Sequence, residues 1–396
     1  MNQAYICSPV RTPIGSFMGS LAALSATELG AACVKEVLSR SGAPAETINE
    51  VIMGNVLSAG LGQAPARQVG IKAGLPKHVQ ALTINKVCSS GLKAVMLAAQ
   101  SIATGQSEAV IAGGMESMTN APYYLPKFRL GARLGHASAE DAIIRDGLWD
   151  VYNDFHMGSA AELCAKEHQV SREEQDAFAV ESYRRAQAAI ANGFFKDEIL
   201  SLTVGTGPKA TTVATDEEPS KVNFDKIPTL KAVFNKVEGQ IEGTVTAANA
   251  SSINDGASAM LVCSESYLKK HNLTPMARIV QYGTHAQEPE WFTTAPIGAV
   301  ETVLKQAKLD TQQIDLFELN EAFSVVAVAC SRGLKLDPAK VNINGGAVAL
   351  GHPIGASGAR ILTTLLYALK RTQGRTGIAS LCNGGGEATA MIVTLV

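Results

Sequence analysis

Four short stretches carry residue types suited to nucleophilic and acid–base chemistry. In KVCSSGLKAV, residues 86–95, Cys88 stands where an apolar run ends and a helical pattern begins, with Leu92, Val95, Met96, Ala99, Ile102 and Ala103 on one face. A thiol at a helix start meets unpaired N–H groups and the positive end of the helix dipole, which favour thiolate and hence a nucleophile. Read alone, Cys88 is also a small hydrophobe tucked under a helix. His352 in GHPIGASGAR precedes a second helix, whose dipole disfavours imidazolium and keeps the ring neutral, as a base must be. Cys382 in LCNGGGEATA stands before three glycines, whose backbone N–H groups can approach a ligand closely enough to form an oxyanion hole. A glycine turn over a buried cysteine is the plainer reading there. Asn320 and Glu321 in ELNEAFS lie between an apolar strand and an apolar helix, where Asn is often just a helix cap.

The elements that must position these residues repeat. The first half reads ETINEVIMGNV, ARQVGIKAGLPKHVQALTINKVCSSG, a helix, then EAVIAGGMESM. The second reads QQIDLFELNEA, VACSRGLKLDPAKVNINGGAVALGHPIGASG, a helix, then GIASLCNGGGEATAMIVTLV. Each offers a strand, a helix, a second strand ending in Ile-Asn, a glycine-rich turn, a long apolar helix and a last strand running into Gly-Gly. Strands alternating with helices imply parallel βαβ units, and two such runs imply a duplicated α/β pair. GASGARILTTLLYAL is apolar almost all round and so belongs in the interior. Gly355, Ala356, Gly358 and Ala359 at its start, with Ser89, Ser90 and Gly91 in the first half, let two helices approach closely in a middle layer, their N-termini aimed at one region. The segment 119–245 has no counterpart in the second half, and an insertion of that length reads as a lid or binding loop. Ser171 with Glu174 marks a capping box inside it.

A chain of 396 residues, 46% hydrophobic and 18% charged with 36 glycines, fits a compact enzyme of two or three domains. With 34 basic and 36 acidic residues and no basic block, nucleic acid and anionic membrane are poor partners. Seven scattered cysteines without C-x-x-C spacing argue for reduced thiols and against a disulfide framework or a zinc site. The start MNQAYICSPVRTPIG reads as a strand and turn rather than a leader, and no apolar run is long enough to cross a bilayer, so the expected location is the cytoplasm.

Taken in order, N-x-x-C-S-S-G, G-G-M-E-S-M, N-E-A-F, G-H-P-x-G-x-S-G and C-x-G-G-G make the chain resemble the thiolases, from RTPIGSF at 11–17 to the last strand. The resemblance implies two mixed five-stranded sheets with buried helices between them, layered αβαβα. The first thiolase domain would cover 1–118 and 246–272, the inserted loop domain 119–245 and the second thiolase domain 273–396. It implies that Cys88 takes an acetyl group as a thioester with His352 activating it, and that the N–H groups of Cys88 and Gly384 hold the oxyanion. Cys382 would then deprotonate a second acetyl-CoA, with His352 and a water held by Asn320 on the enolate oxygen, giving acetoacetyl-CoA by condensation or consuming it by thiolysis.

The resemblance also implies coenzyme A contacts from His156, Met157, Ser251, Phe292, Ala322 and Phe323, with Lys221 and Lys226 near the adenine nucleotide. No cofactor beyond coenzyme A is expected, apart from potassium activation at Tyr183, Ala247, Ala248, Ala250 and Val348, and the assembly is expected to be a homotetramer, a dimer of dimers. A degradative thiolase for longer 3-ketoacyl-CoA is the alternative, and a non-catalytic lipid or CoA-ester carrier a remote one. A papain-like protease lacks the local C-G-[SA]-C signature here and leaves Cys382 without a role.

Overall fold

The computed structural model describes residues 2–234 and 243–396; residues 235–242, inside the expected inserted domain, lie outside the described residues. The first half runs β1 (Ala4–Arg11), α1 (Ala26–Ser41), β2 (Glu50–Gly54), α2 (Pro65–Lys72), β3 (Gln80–Ile84), α3 (Ser90–Ala103) and β4 (Ala109–Ser117). The insertion then carries α4 (Met157–Glu167) and α5 (Arg172–Ala191) before the chain returns as β5 (Asn254–Ser264) and α6 (Glu265–His271). The second half runs β6 (Ala277–Ala286), α7 (Ala295–Ala307), β7 (Leu316–Leu319), α8 (Ser324–Gly333), the short α9 (Ala347–Leu350), α10 (Ile354–Thr372), β8 (Thr376–Asn383) and β9 (Glu387–Leu395).

Outward from the centre, the first half pairs in the order β1-β5-β4-β2-β3 and the second in the order β6-β9-β8-β7. The expected repeat is therefore present for four strands of each half, with parallel pairing of β2 to β3 and β4, and of β7 to β8. The two sets touch where β1 meets β6, at Tyr5 opposite Arg278 and Ile6 opposite Ala277. The fifth strand of the second half is reduced to one bridge, Val341 to Phe317. The reason is Asn342, whose backbone turns left-handed (φ 47°). Its side-chain amide takes over the ladder, accepting from Leu319 N and donating to Leu319 O, both at 2.8 Å.

α3 and α10 fill the middle layer. A Cβ on Gly91 would sit 2.7 Å from Ala359 N, and one on Gly358 would sit 2.4 Å from Leu92 N, so only glycine permits this approach. Their apolar faces, Leu92, Val95, Ile102, Leu362 and Leu366 among them, pack with Ile52 and Val110 from one sheet and Leu381 and Met391 from the other. α1 and α2 cover the outer face of the first sheet, while α7 and α8 cover that of the second. The insertion joins β4 to β5, where the second half has only the glycine turn between β8 and β9. α4 packs on the second half, and α5 opens with the expected Ser171–Glu174 capping box. A fully buried ion network ties the insertion to β1: Arg11 Nε meets Glu198 at 2.5 Å and Nη1 meets Asp216 at 2.7 Å.

Candidate active site

The loop carrying Cys88 is built by its own short polar residues. Asn85 Oδ1 accepts from Val87 N at 2.8 Å, while Ser90 Oγ accepts from Lys86 N at 2.8 Å and donates to Val87 O at 2.6 Å. These bonds hold Val87 at φ 46°, an uncommon conformation for a β-branched residue and a strain that clusters at functional sites. Cys88 is part-buried just ahead of α3. Burial pushes its thiol up to about 12, although the N–H groups of Cys88 itself and of Gly384 pull the other way. The expected lowering is thus reversed: desolvation of the thiolate outweighs those donors.

His352 is fixed from three sides. Gly351 at φ 101° lies so close to Asn254 that a Cβ would stand 2.3 Å from Oδ1. The His352 N–H donates to that Oδ1 at 3.0 Å and to Ser252 O at 3.2 Å. The first turn of α10 is held by Glu116 of the other half, whose carboxylate accepts from Gly355 N at 2.9 Å and from Val56 N at 3.0 Å. On the ring itself, Nδ1 lies 2.6 Å from Ser357 Oγ and Nε2 lies 3.4 Å from Asn320 Nδ2. Burial, and then the charge of Arg360, push the imidazole down to about 3. His352 is neutral as expected, for reasons of burial and a neighbouring guanidinium. Asn320 caps no helix, since α8 begins at Ser324 behind Phe323; it stands against the histidine, with Oδ1 buried and unpartnered among the described residues.

Cys382 is the last residue but one of β8, fully buried, and its thiol is pushed well up by burial and next by the neighbouring Cys88. The turn beyond it needs glycine: Gly385 and Gly386 have φ 89° and 80°, and a Cβ on Gly386 would meet Gln287 O at 2.2 Å. Lys86 and Glu387 form a 2.6 Å ion pair across the halves, beside the Cys88 loop on one side and the glycine turn on the other.

A cavity of about 360 Å³ opens over these groups, lined by Cys88, His352 and Gly384. His156, Met157, Ser251, Phe292, Ala322 and Phe323 line it too, as do Ala247 and Ala250. Cys382 and Asn320 lie behind its wall rather than in it. His156 caps α4, its Nδ1 accepting from Gly158 N at 3.0 Å, and its ring stacks on Phe234 with centroids 4.6 Å apart. Phe234, Leu148, Met118 and Ile354 complete the apolar wall. Sequence reasoning missed them as wall residues, because which apolar side chains face a shared cavity is set by contacts between distant segments and not by local pattern. Lys221 and Lys226 are exposed and away from this cavity, with Lys221 bonded to Ser16 Oγ and 3.8 Å from Glu218. Tyr183 and Val348 are buried together in a separate cluster, and Ala248 is buried without lining the cavity.

Two family models match the chain, "Thiolase, N-terminal domain" over residues 4–266 and "Thiolase, C-terminal domain" over residues 273–395. An acetyl-CoA acetyltransferase of Schizosaccharomyces pombe is 51% identical over 396 residues, covering 100% of this chain and 99% of its own. That of Saccharomyces cerevisiae is 50% identical over 394 residues, covering 98% of each. The crystal structure of Acat5 thiolase from Ascaris suum in complex with coenzyme A superposes with a TM-score of 0.94 at 46% identity, covering 100% of both chains.

Proposed function

This chain belongs to the thiolase family, and from that premise we propose how its residues carry the reaction. It is an acyltransferase of the acetyl-CoA C-acetyltransferase type, and it binds coenzyme A and its acyl thioesters. The observation that carries the reading of the site is one apolar cavity lined by Cys88 from the first half and by His352 and Gly384 from the second, with Cys382 buried behind its wall.

The high proton affinity of both thiols shapes the order of events. At rest Cys88, Cys382 and His352 are all uncharged. As Cys88 Sγ attacks the carbonyl of acetyl-CoA, His352 Nε2 takes its proton, and the developing oxyanion lies between the N–H groups of Cys88 and Gly384. Collapse breaks the carbon–sulfur bond to coenzyme A. Cys382 protonates the departing thiolate, leaving acetyl-Cys88, a Cys382 thiolate and a protonated His352. A buried thiolate is a strong base, suited to the weakly acidic α-hydrogen of the second acetyl-CoA. The enolate oxygen is met by His352 Nε2–H and a water on Asn320. The enolate carbon then attacks acetyl-Cys88, the Cys88 sulfur leaves and regains its proton from His352, and acetoacetyl-CoA departs. Thiolysis runs the same steps in reverse.

Met157 and Phe292, both buried in the cavity wall, support short acyl chains. One extra methylene against a filled apolar wall costs about 1–3 kcal/mol, roughly 10–200-fold. Steady-state thiolysis should therefore favour acetoacetyl-CoA strongly over a C10 3-ketoacyl-CoA, and equal kcat/KM on both would refute this. Lys221 and Lys226 are proposed to meet the nucleotide end of coenzyme A, beyond the cavity. The potassium site is proposed at Tyr183, Ala247, Ala248, Ala250 and Val348, which offer a phenol and peptide carbonyls, the hard oxygen donors such an ion takes. Exposed Tyr123, Leu125, Phe128, Leu130 and Leu134 support a tetramer-forming loop within 120–140. Seven free thiols support a reducing compartment, for which we propose the cytoplasm. Among the described residues no helix is long and apolar enough to cross a membrane.

A further inference from the structure

We propose that Ser357 is a positioning residue for this chemistry: its hydroxyl locks His352 in the tautomer that carries hydrogen on Nδ1 and leaves Nε2 bare beside Asn320. The argument is a count of hydrogens. Ser357 Oγ lies 2.9 Å from Pro353 O and 2.6 Å from His352 Nδ1. A carbonyl oxygen only accepts, so the single hydroxyl hydrogen of Ser357 goes to Pro353 O. The contact to Nδ1 then requires a hydrogen from the ring. Ser357 is fully buried, so no bulk water competes for either bond. It sits one turn into α10, where its own N–H also donates to Pro353 O at 3.0 Å, so the rigid start of the helix carries the lock.

The contact on the other side of the ring fits the same tautomer. Asn320 Nδ2 is a donor, and at 3.4 Å it faces a nitrogen that can only accept if it is bare. A hydroxyl fixes the tautomer without supplying negative charge, unlike the carboxylate of a serine-protease triad. The imidazolium formed during turnover is thus left without a counter-ion on its far side, and the buried Arg360 guanidinium opposes it further. Ser357 makes His352 a correctly aimed base that readily returns its proton.

This inference rests on the reading of His352 as the base, and the test separates the two. In the intact protein with 15N-labelled histidine, the His352 spectrum should show a protonated Nδ1 and an unprotonated Nε2. Ser357→Ala should give a mixture of tautomers. Its kcat for acetoacetyl-CoA thiolysis should fall roughly 10–100-fold, the usual effect of removing a histidine's orienting partner at metal sites, with KM unchanged. A wild-type spectrum with the hydrogen on Nε2, or a Ser357→Ala enzyme with full kcat, overturns the role of Ser357. An active His352→Ala enzyme would instead overturn the reading of the base.

Discussion

The two halves share strand order and helix placement, yet their connections at the end of the sheet differ completely. Between β8 and β9 the second half has only Gly384, Gly385 and Gly386, and the turn offers a bare N–H toward Cys88. Between β4 and β5 the first half carries the insertion, which reaches over the second half and supplies His156, Met157 and Phe234 to the cavity. The matched helix starts differ as well, one following a thiol and the other an imidazole. In the proposed mechanism the two converging frames divide the roles, with the nucleophile Cys88 at one helix start and the base His352 at the other. The short connection presents backbone N–H groups, while the long one lines the cavity with His156, Met157 and Phe234.

Removing one side's contribution breaks the comparison most severely. Cys88→Ala should lower both condensation and thiolysis by roughly 10⁴–10⁶-fold, as when a nucleophile is deleted from a catalytic unit; steady-state rates on acetoacetyl-CoA read this directly. A smaller effect tests the charge state of the same residue. A thiol raised to about 12 is protonated at neutral pH and yields thiolate only as pH rises toward that value. Iodoacetamide labelling of Cys88, followed by peptide mapping, should therefore be at least about tenfold slower at pH 7 than for a free thiol and keep rising past pH 9. A plateau below pH 8 would restore the helix-dipole expectation. The smallest effect concerns the clasp between the two loops. Lys86 and Glu387 are 18% and 36% exposed, so Lys86→Met should change kcat by at most about fivefold. A larger loss would make that ion pair a structural requirement of the oxyanion hole.

Much of this site was legible in the chain itself. Cys88, His352, Asn320 and Cys382 were marked by their places at strand and helix boundaries, and the close packing of α3 on α10 by Gly91 and Gly358. The duplicated α/β arrangement followed from the repeat. What stayed hidden depends on contacts between distant residues. Glu116 holding the start of α10 joins residues 239 positions apart, and no local pattern announces it. The fifth strand of the second half read as a strand from KVNIN, yet Asn342 spends its side chain on Leu319 instead of continuing the ladder. The direction of the Cys88 shift was lost for a related reason: a helix start is visible in sequence, whereas the desolvation that outweighs it is set by the whole cavity.

The central claim is that the two cysteines divide the work, Cys88 taking the acyl group and Cys382 moving the α-hydrogen. Cys382→Ser keeps the size and hydrogen bonding of the side chain but replaces it with a far weaker base, so condensation should fall by roughly 10²–10⁴-fold. The decisive measurement is made on that variant with radiolabelled acetyl-CoA in deuterated water, following label on the Cys88 peptide and exchange of the acetyl α-hydrogens together. The account predicts that acetyl-Cys88 still accumulates while exchange falls with condensation. Loss of the acetyl label from Cys88 with α-hydrogen exchange intact would contradict it and reverse the two roles.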